Sequence, residues 1–248
     1  MGLYPAEIGV SMSSGDKTKV YLGDSDNDSN TTPIYWSDDE SDQIKVKVDG
    51  VDYIFQKVGN TSNSKNAKFR CELAPAVEAG KTYTATYSSD GFNSIGYYQS
   101  GTKSSLKDHI DLSATYTAKE GDTWNDVVFN FEMERAIVKI TIRSDIVNDV
   151  GVGVDLMEDG KGLVTSTSTV EISQEGVAEL YFVLEPREYS KMTMEVTLYI
   201  CGDPLNFQTR VIRYEMSDIT IRRNNMYYVE KQLQSDTSIE ENFNIVKL

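Results

Sequence analysis

The chain has 248 residues, an apolar fraction of 39% and a formal charge of −15 at pH 7, with a pI near 4.5. Both halves are acidic, which argues against a basic nucleic-acid module or attraction to an anionic membrane face. The length suits one large β domain or two of about 100–125 residues, and the apolar content with fifteen tyrosines excludes disorder over most of the chain.

Apolar residues recur at every second position in segment after segment, the period of a strand with one buried face. Glu7–Met12 places Ile8, Val10 and Met12 on one side. Lys17–Leu22 predicts a second strand, and 23–32 (GDSDNDSNTT) a polar loop. Gln43–Asp49 alternates strictly, with Ile44, Val46 and Val48 inward and Lys45 and Lys47 outward. Asp49-Gly50 is a two-residue hairpin turn into Val51–Val58. Strands follow at Lys68–Leu73 and Lys81–Tyr87, the latter with Tyr83, Ala85 and Tyr87 in phase. Asp90–Asp108 is rich in Gly, Ser and Tyr and reads as irregular.

Glu120–Thr123 is the expected domain boundary, followed by strong alternation over Asp126–Arg143. The expected domains are therefore 1–125 and 126–248, with Phe129, Phe131, Val138 and Ile140 in the second core. Glu158–Gly162 reads as a turn and Thr165–Thr169 as a strand edge. Val177–Leu184, Met192–Ile200, Phe207–Tyr214 and Met226–Leu233 complete a second set of strands, with a tight turn at Asn224-Asn225. No stretch of helical period stands out, so the fold class is all-β, arranged as sandwiches.

Residues that carry chemistry are sparse. His109 is the only histidine and has no dyad partner in sequence. Asp24, Asp26 and Asp28 imitate the front half of a calcium loop. Ser29 follows Asp28 where the turn glycine belongs, and Tyr35 stands where the closing glutamate belongs, so the loop reads as solvated. Asp38, Asp39, Glu40 and Asp42 cluster beside Trp36, yet a glycosidase pair needs a spacing that sequence does not specify. Trp36, Trp124, Tyr97 and Tyr98 are candidates for stacking on sugars, with core packing as the commoner use. Cys71 is in phase with Phe69 and Leu73 and faces a core. Cys201 lies out of phase with its strand, so two free thiols are expected. No catalytic residue, cofactor or metal ligand is assigned, and no apolar run is long enough for a membrane-spanning helix. Met1-Gly2 reads as a start added to a trimmed mature protein.

Five segments, in order, resemble those of Bacteroidales-type fimbrillins. Ile34-Tyr35-Trp36, a polar turn and Asp42-Gln43-Ile44-Lys45-Val46 resemble their Trp, acidic turn, Asp-x-Ile-x-Val segment. Phe69–Leu73 with Gly80–Tyr87 is similar to their Phe-x-Gly and Tyr-x-Ala-x-Tyr-Pro pieces. Asp108–Ala114 resembles the Asp-Leu-Met-x-Ala segment near the end of their first domain. Phe129-x-Phe131 followed by Arg135–Ile140 resembles their entry strand to the second. Ile219–Ile221 through Tyr227–Val229 resembles a late strand. Departures are Glu132-Met133 where histidine is common, Ser88 where proline is usual, and Asn224-Asn225 in place of a glycine.

The resemblance implies two tandem transthyretin-like β-sandwich domains in a non-enzymatic fimbrial subunit or fimbria-associated adhesion protein. It implies export to the cell surface and fimbrium, with the outer membrane reached only through a lipid anchor. The implied partners are other fimbrial subunits, joined by strand addition, and a host protein or glycan; nucleic acid is not among them. Ile8, Val10 and Met12 form the implied exchangeable strand. Lys17 and Lys19 mark the implied processing point, with Lys where the family often has Arg. A surface glycan-binding lipoprotein is the alternative, and a hydrolase on a β-sandwich is a third reading. Calorimetric titration with calcium is expected to show no binding; micromolar binding that disappears in Asp26→Ala would show the acidic loop to be a metal site.

Overall fold

A computed structural model of the chain describes residues 2–12, 21–22, 34–36, 42–59, 64–88, 96–145, 150–201, 207–233 and 246–247. The strands in chain order are β1 (Leu3–Met12), β2 (Tyr21–Leu22), β3 (Ile34–Tyr35), β4 (Gln43–Val48), β5 (Val51–Val58), β6 (Asn66–Pro75), β7 (Thr82–Ser88), β8 (Tyr98–Gln99), β9 (Asp111–Thr117) and β10 (Val128–Met133). There follow β11 (Ala136–Ser144), β12 (Val150–Glu158), β13 (Lys161–Ser166), β14 (Val170–Glu171), β15 (Val177–Leu184), β16 (Glu188–Cys201), β17 (Phe207–Thr220), β18 (Met226–Leu233) and β19 (Val246–Lys247). Among the described residues the helical pieces are two short 3-10 turns, Lys103–His109 and Trp124–Asp126, so the protein is all-β.

The chain forms two compact units. Unit 1 is Met1–Asn93 with Ile110–Glu134; unit 2 is Ser94–His109 with Arg135–Leu248. In unit 1, seven strands form a closed hydrogen-bonded circuit in the order β1-β10-β9-β7-β4-β5-β6, and β6 returns to β1. Asp49 and Gly50 both adopt positive φ, 52° and 83°, the backbone a two-residue turn between twisted strands requires. Ile44, Val46 and Val48 point inward from β4, and Tyr83, Ala85 and Tyr87 from β7. Trp36 is fully buried and meets Phe69, Tyr87 and Phe131 edge-on, with centroids 5.1–6.1 Å apart. Trp124 packs against Phe55 and Tyr83 and donates its indole N–H to the Pro75 carbonyl at 2.6 Å. Both tryptophans are core residues.

Unit 2 has two sheets, β15-β11-β18-β19 and β17-β16-β12-β13-β8, with β14 beside β12. Their inner faces share one core, including Val138, Ile140, Val152, Leu180, Phe182, Met194 and Leu198. Asp159-Gly160 and Asn224 take the positive φ of their turns.

The division differs from the expected one at residue 125. Phe129 and Phe131 belong to unit 1, because β10 pairs with β1 and β9. Val138 and Ile140 belong to unit 2, because β11 pairs with β15 and β18. The chain changes sheets at Glu134-Arg135. Apolar alternation runs on either side of that step, so its period carries no sign of the change.

The segment expected to be irregular also has a defined place. Tyr98 and Gln99 pair in parallel with Thr165 and Ser166 on β13. The Thr165 and Thr167 amides donate to the carbonyls of Tyr97 and Gln99, both at 2.8 Å. On its other side the buried Gln99 carboxamide acts as a surrogate peptide. Its Nε2 donates to the Val183 carbonyl and its Oε1 accepts the Val183 N–H, both at 2.9 Å, while Tyr181 N–H donates to the Gly101 carbonyl at 2.8 Å. Residues 97–101 thus satisfy one edge of each sheet of unit 2. Gln99→Ala leaves two buried backbone groups unpaired, each costing about 1–3 kcal/mol. Urea unfolding is expected to show a loss of about 2–4 kcal/mol, against about 0.5 kcal/mol for the exposed Tyr98→Thr. Equal losses in the two variants would refute the surrogate-peptide role.

Candidate functional site

Strand β1 reads LYPAEIGVSM. Period two carries Ala6, Ile8, Val10 and Met12 to the barrel interior, with no more than 6% of any of them exposed. Along one edge β1 runs antiparallel to β6, from Leu3 opposite Pro75 to Ser11 opposite Asn66. The register is interrupted between Tyr4 and Ala6, around Pro5, which has no N–H to give. Along the other edge Gly9–Met12 runs parallel to Val128–Phe131. The Gly9 amide donates to the Val127 carbonyl at 3.0 Å, and a Cβ on Gly9 would lie 3.2 Å from the Val128 side chain. Glycine therefore permits the close approach of β1 to β10. The Met12 N–H donates to the Lys65 carbonyl at 3.1 Å.

Outside the barrel, Glu7 on β1 and Lys68 on β6 form an ion pair at 2.7 Å. The hydrogen bond from Lys68, and then its charge, hold the Glu7 carboxyl below the usual carboxylate range. Strand β1 is thus fastened by two backbone ladders, an apolar inner face and an exposed ion pair. The alternation of Ile8, Val10 and Met12 was legible in sequence. The two partner strands and the Glu7–Lys68 pair were not, because β6 and β10 lie far away along the chain.

Among the described residues, the other candidates do not assemble a chemical site. Lys17, Lys19, Asp24, Asp26, Asp28, Asp38, Asp39 and Glu40 lie outside the described residues. Asp42 is buried and accepts the Tyr87 hydroxyl at 3.0 Å. The His109 carbonyl accepts a hydrogen bond from Arg135 at 3.0 Å. Cys71 is a buried free thiol in phase with Phe69, whereas Leu73, expected on the same face, is exposed because the alternation breaks at Glu72-Leu73; nothing is described of the Cys201 side chain. Among the described residues no three His, Cys, Asp or Glu side chains converge as a metal site, and no helix is long and apolar enough to cross a membrane. Tyr97 and Tyr98 are exposed, with centroids 4.9 Å apart, but their rings meet at 75° and present no common plane to a sugar.

No protein-family model matches the chain, and no curated protein sequence matches it. Solved structures do. A candidate cell adhesion protein of Bacteroides ovatus superposes with a TM-score of 0.59 at 14% identity, covering 100% of this chain and 97% of its own. A second, from Bacteroides uniformis, gives 0.54 at 16% identity over 98% and 97%. The tip fimbrial protein Mfa3 of Porphyromonas gingivalis overlaps less closely, at 0.47 and 9% identity over 99% and 100%. The first two establish that the chain shares its fold with these Bacteroides proteins.

Two outcomes follow for β1. Ile8→Ala removes a buried branched side chain and should cost about 2–5 kcal/mol in urea unfolding. Since the Glu7 pKa is depressed in the folded state, its contribution is present at neutral pH. It is lost as pH falls through the carboxylate range. Glu7→Gln is therefore expected to flatten the acid side of the stability profile slightly, the pair being exposed and screened by salt. An unchanged acid limb in Glu7→Gln would count against the pair.

Proposed function

We propose that the chain is a non-enzymatic cell-surface fimbrial subunit or fimbria-associated adhesion protein that joins other subunits by β-strand addition. In this reading its two units are variants of the transthyretin-like β-sandwich, and Ile8, Val10 and Met12 belong to an exchangeable strand. The ordered resemblance of five segments to fimbrillins and the shared fold with two candidate cell adhesion proteins support the reading.

The observation that carries it is the position of β1. It joins β6 to β10 and so closes the circuit of unit 1. Loss of β1 would leave two strands with unpaired backbone groups flanking an apolar trough. Ala67, Phe69 and Cys71 of β6 and Phe129 and Phe131 of β10 point into the same interior. Another subunit's extended segment with apolar residues at alternate positions supplies both ladders and the inner face. Lys17 and Lys19 follow the end of β1 at Met12 after four residues, where a cut would separate it from the rest of the unit.

The test is limited trypsin cleavage followed by removal of the released strand. Ile8, Val10 and Met12 together withdraw about 1.5–3 kcal/mol of transfer free energy each. The trimmed chain should therefore lose stability, then regain it on adding a synthetic peptide of the sequence Leu3–Met12 or on self-assembly. A trimmed chain as stable as the intact one, which neither assembles nor binds the peptide, would refute the proposal.

A further inference from the structure

Strand β17 forms one end of the larger sheet of unit 2, and among the described residues nothing pairs with its outer edge. Which of its backbone groups face outward follows from the ladders beside it. The Val150 carbonyl accepts from Ile172 and the Val154 amide donates to Ser166, so these residues of β12 face β14 and β13. Backbone direction alternates along a strand, so Gly151, Gly153 and Asp155 face β16 instead. Through the registers, Tyr199, Thr197 and Glu195 of β16 face β12, whereas Leu198, Val196 and Met194 face β17. Ile212 and Tyr214 of β17 then face β16. The peptide groups of Val211, Arg213, Glu215 and Ser217 are left pointing outward.

We propose that this edge is a self-complementary interface at which a second copy of the chain pairs antiparallel, β17 to β17, about a two-fold axis at Tyr214. In that register Arg213 stands opposite Glu215 of the second copy, and Glu215 opposite its Arg213. Val211 stands opposite Ser217, and Ile212 continues the buried face opposite Met216. Registers centred on a residue one place away lose this match, since Arg213 or Glu215 then faces its own copy.

The outer face reinforces the same register. Arg213 already pairs with Glu195 on β16, and Glu215 with Lys191 at 2.8 Å. Pairing of the copies aligns these into a row of alternating sign: Glu195, Arg213, then Glu215 and Lys191 of the second copy. The edge carries two opposite charges that are satisfied by a two-fold operation. Val211, 52% exposed, would be covered in the process. This interface is separate from β1 and does not depend on strand addition there.

The experiment is sedimentation equilibrium of the intact, uncleaved chain between about 1 µM and about 1 mM, the range in which modest interfaces populate dimers. A monomer–dimer equilibrium is expected. Arg213→Glu and Glu215→Arg, each of which creates like charges across the axis, should weaken it about tenfold or more. The double variant Arg213→Glu/Glu215→Arg restores opposite charges across the axis and should dimerise about tenfold more tightly than either single variant, yet more weakly than wild type because it sets like charges beside Glu195 and Lys191. Val211→Pro removes one outward N–H without touching a β16 ladder bond, and should be monomeric with unchanged thermal unfolding. A wild-type chain monomeric throughout that range overturns the proposal. So does a folded double variant no better than the single ones, or a Val211→Pro variant that dimerises like wild type.

Discussion

Backbone groups at the edges of β-sheets must find partners or water, and the architecture of this chain follows from how each edge is met. In unit 1 a single strand does this work twice. β1 is antiparallel to β6 and parallel to β10, so the circuit has no free edge while β1 is in place. In unit 2 the task falls to residues 97–101, which lie in sequence between two strands of unit 1. They meet β13 through backbone groups and β15 through the Gln99 carboxamide and the Gly101 carbonyl. Among the described residues, the outer edge of β17 has no strand beside it, and the far edge of the other sheet is met by β19 only at Tyr227 and Tyr228.

Under the proposed function, this arrangement lets a stable unit also be prepared for assembly. Closure by one strand puts the seal of unit 1 on a single segment. The contacts that hold β1 are of the kind any alternating strand can reproduce: ladder bonds, inward aliphatic groups and one exposed ion pair. Nothing in them demands the strand's own sequence beyond alternation and a small residue at the close approach to Val128. Under the proposed function, a groove with such modest requirements suits a strand from another subunit. The cost of baring it is large, because the aromatic cluster around Trp36 lies directly beneath.

The two units are interleaved in sequence, since the chain passes from one to the other at residues 93–94, 109–110 and 134–135. Neither can be completed until the last of its pieces has been made. Long-range strand pairs of this kind form slowly and favour folding after the whole segment is available. The Gln99 contact is of this type, linking residues 84 positions apart.

Much was readable without coordinates. The inward residues of β4 and β7, the Asp49-Gly50 hairpin, the limits of β18 and the core position of Cys71 follow from alternation and turn chemistry, which are local. So does the all-β class. The tertiary structure alone decided which strands are neighbours. A period of two tells which face a residue takes but not what lies beside its strand. For that reason the alternation over 126–143 concealed a change of unit, and Phe129 and Phe131 were expected in the wrong core. Residues 97–101 carry no alternation because they act through peptide groups and one amide side chain, and that chemistry has no apolar signature. The sequence determined the strands and their buried faces; the tertiary structure decided how their edges were closed, because hydrogen-bonding edges are alike in every strand and only packing selects among them.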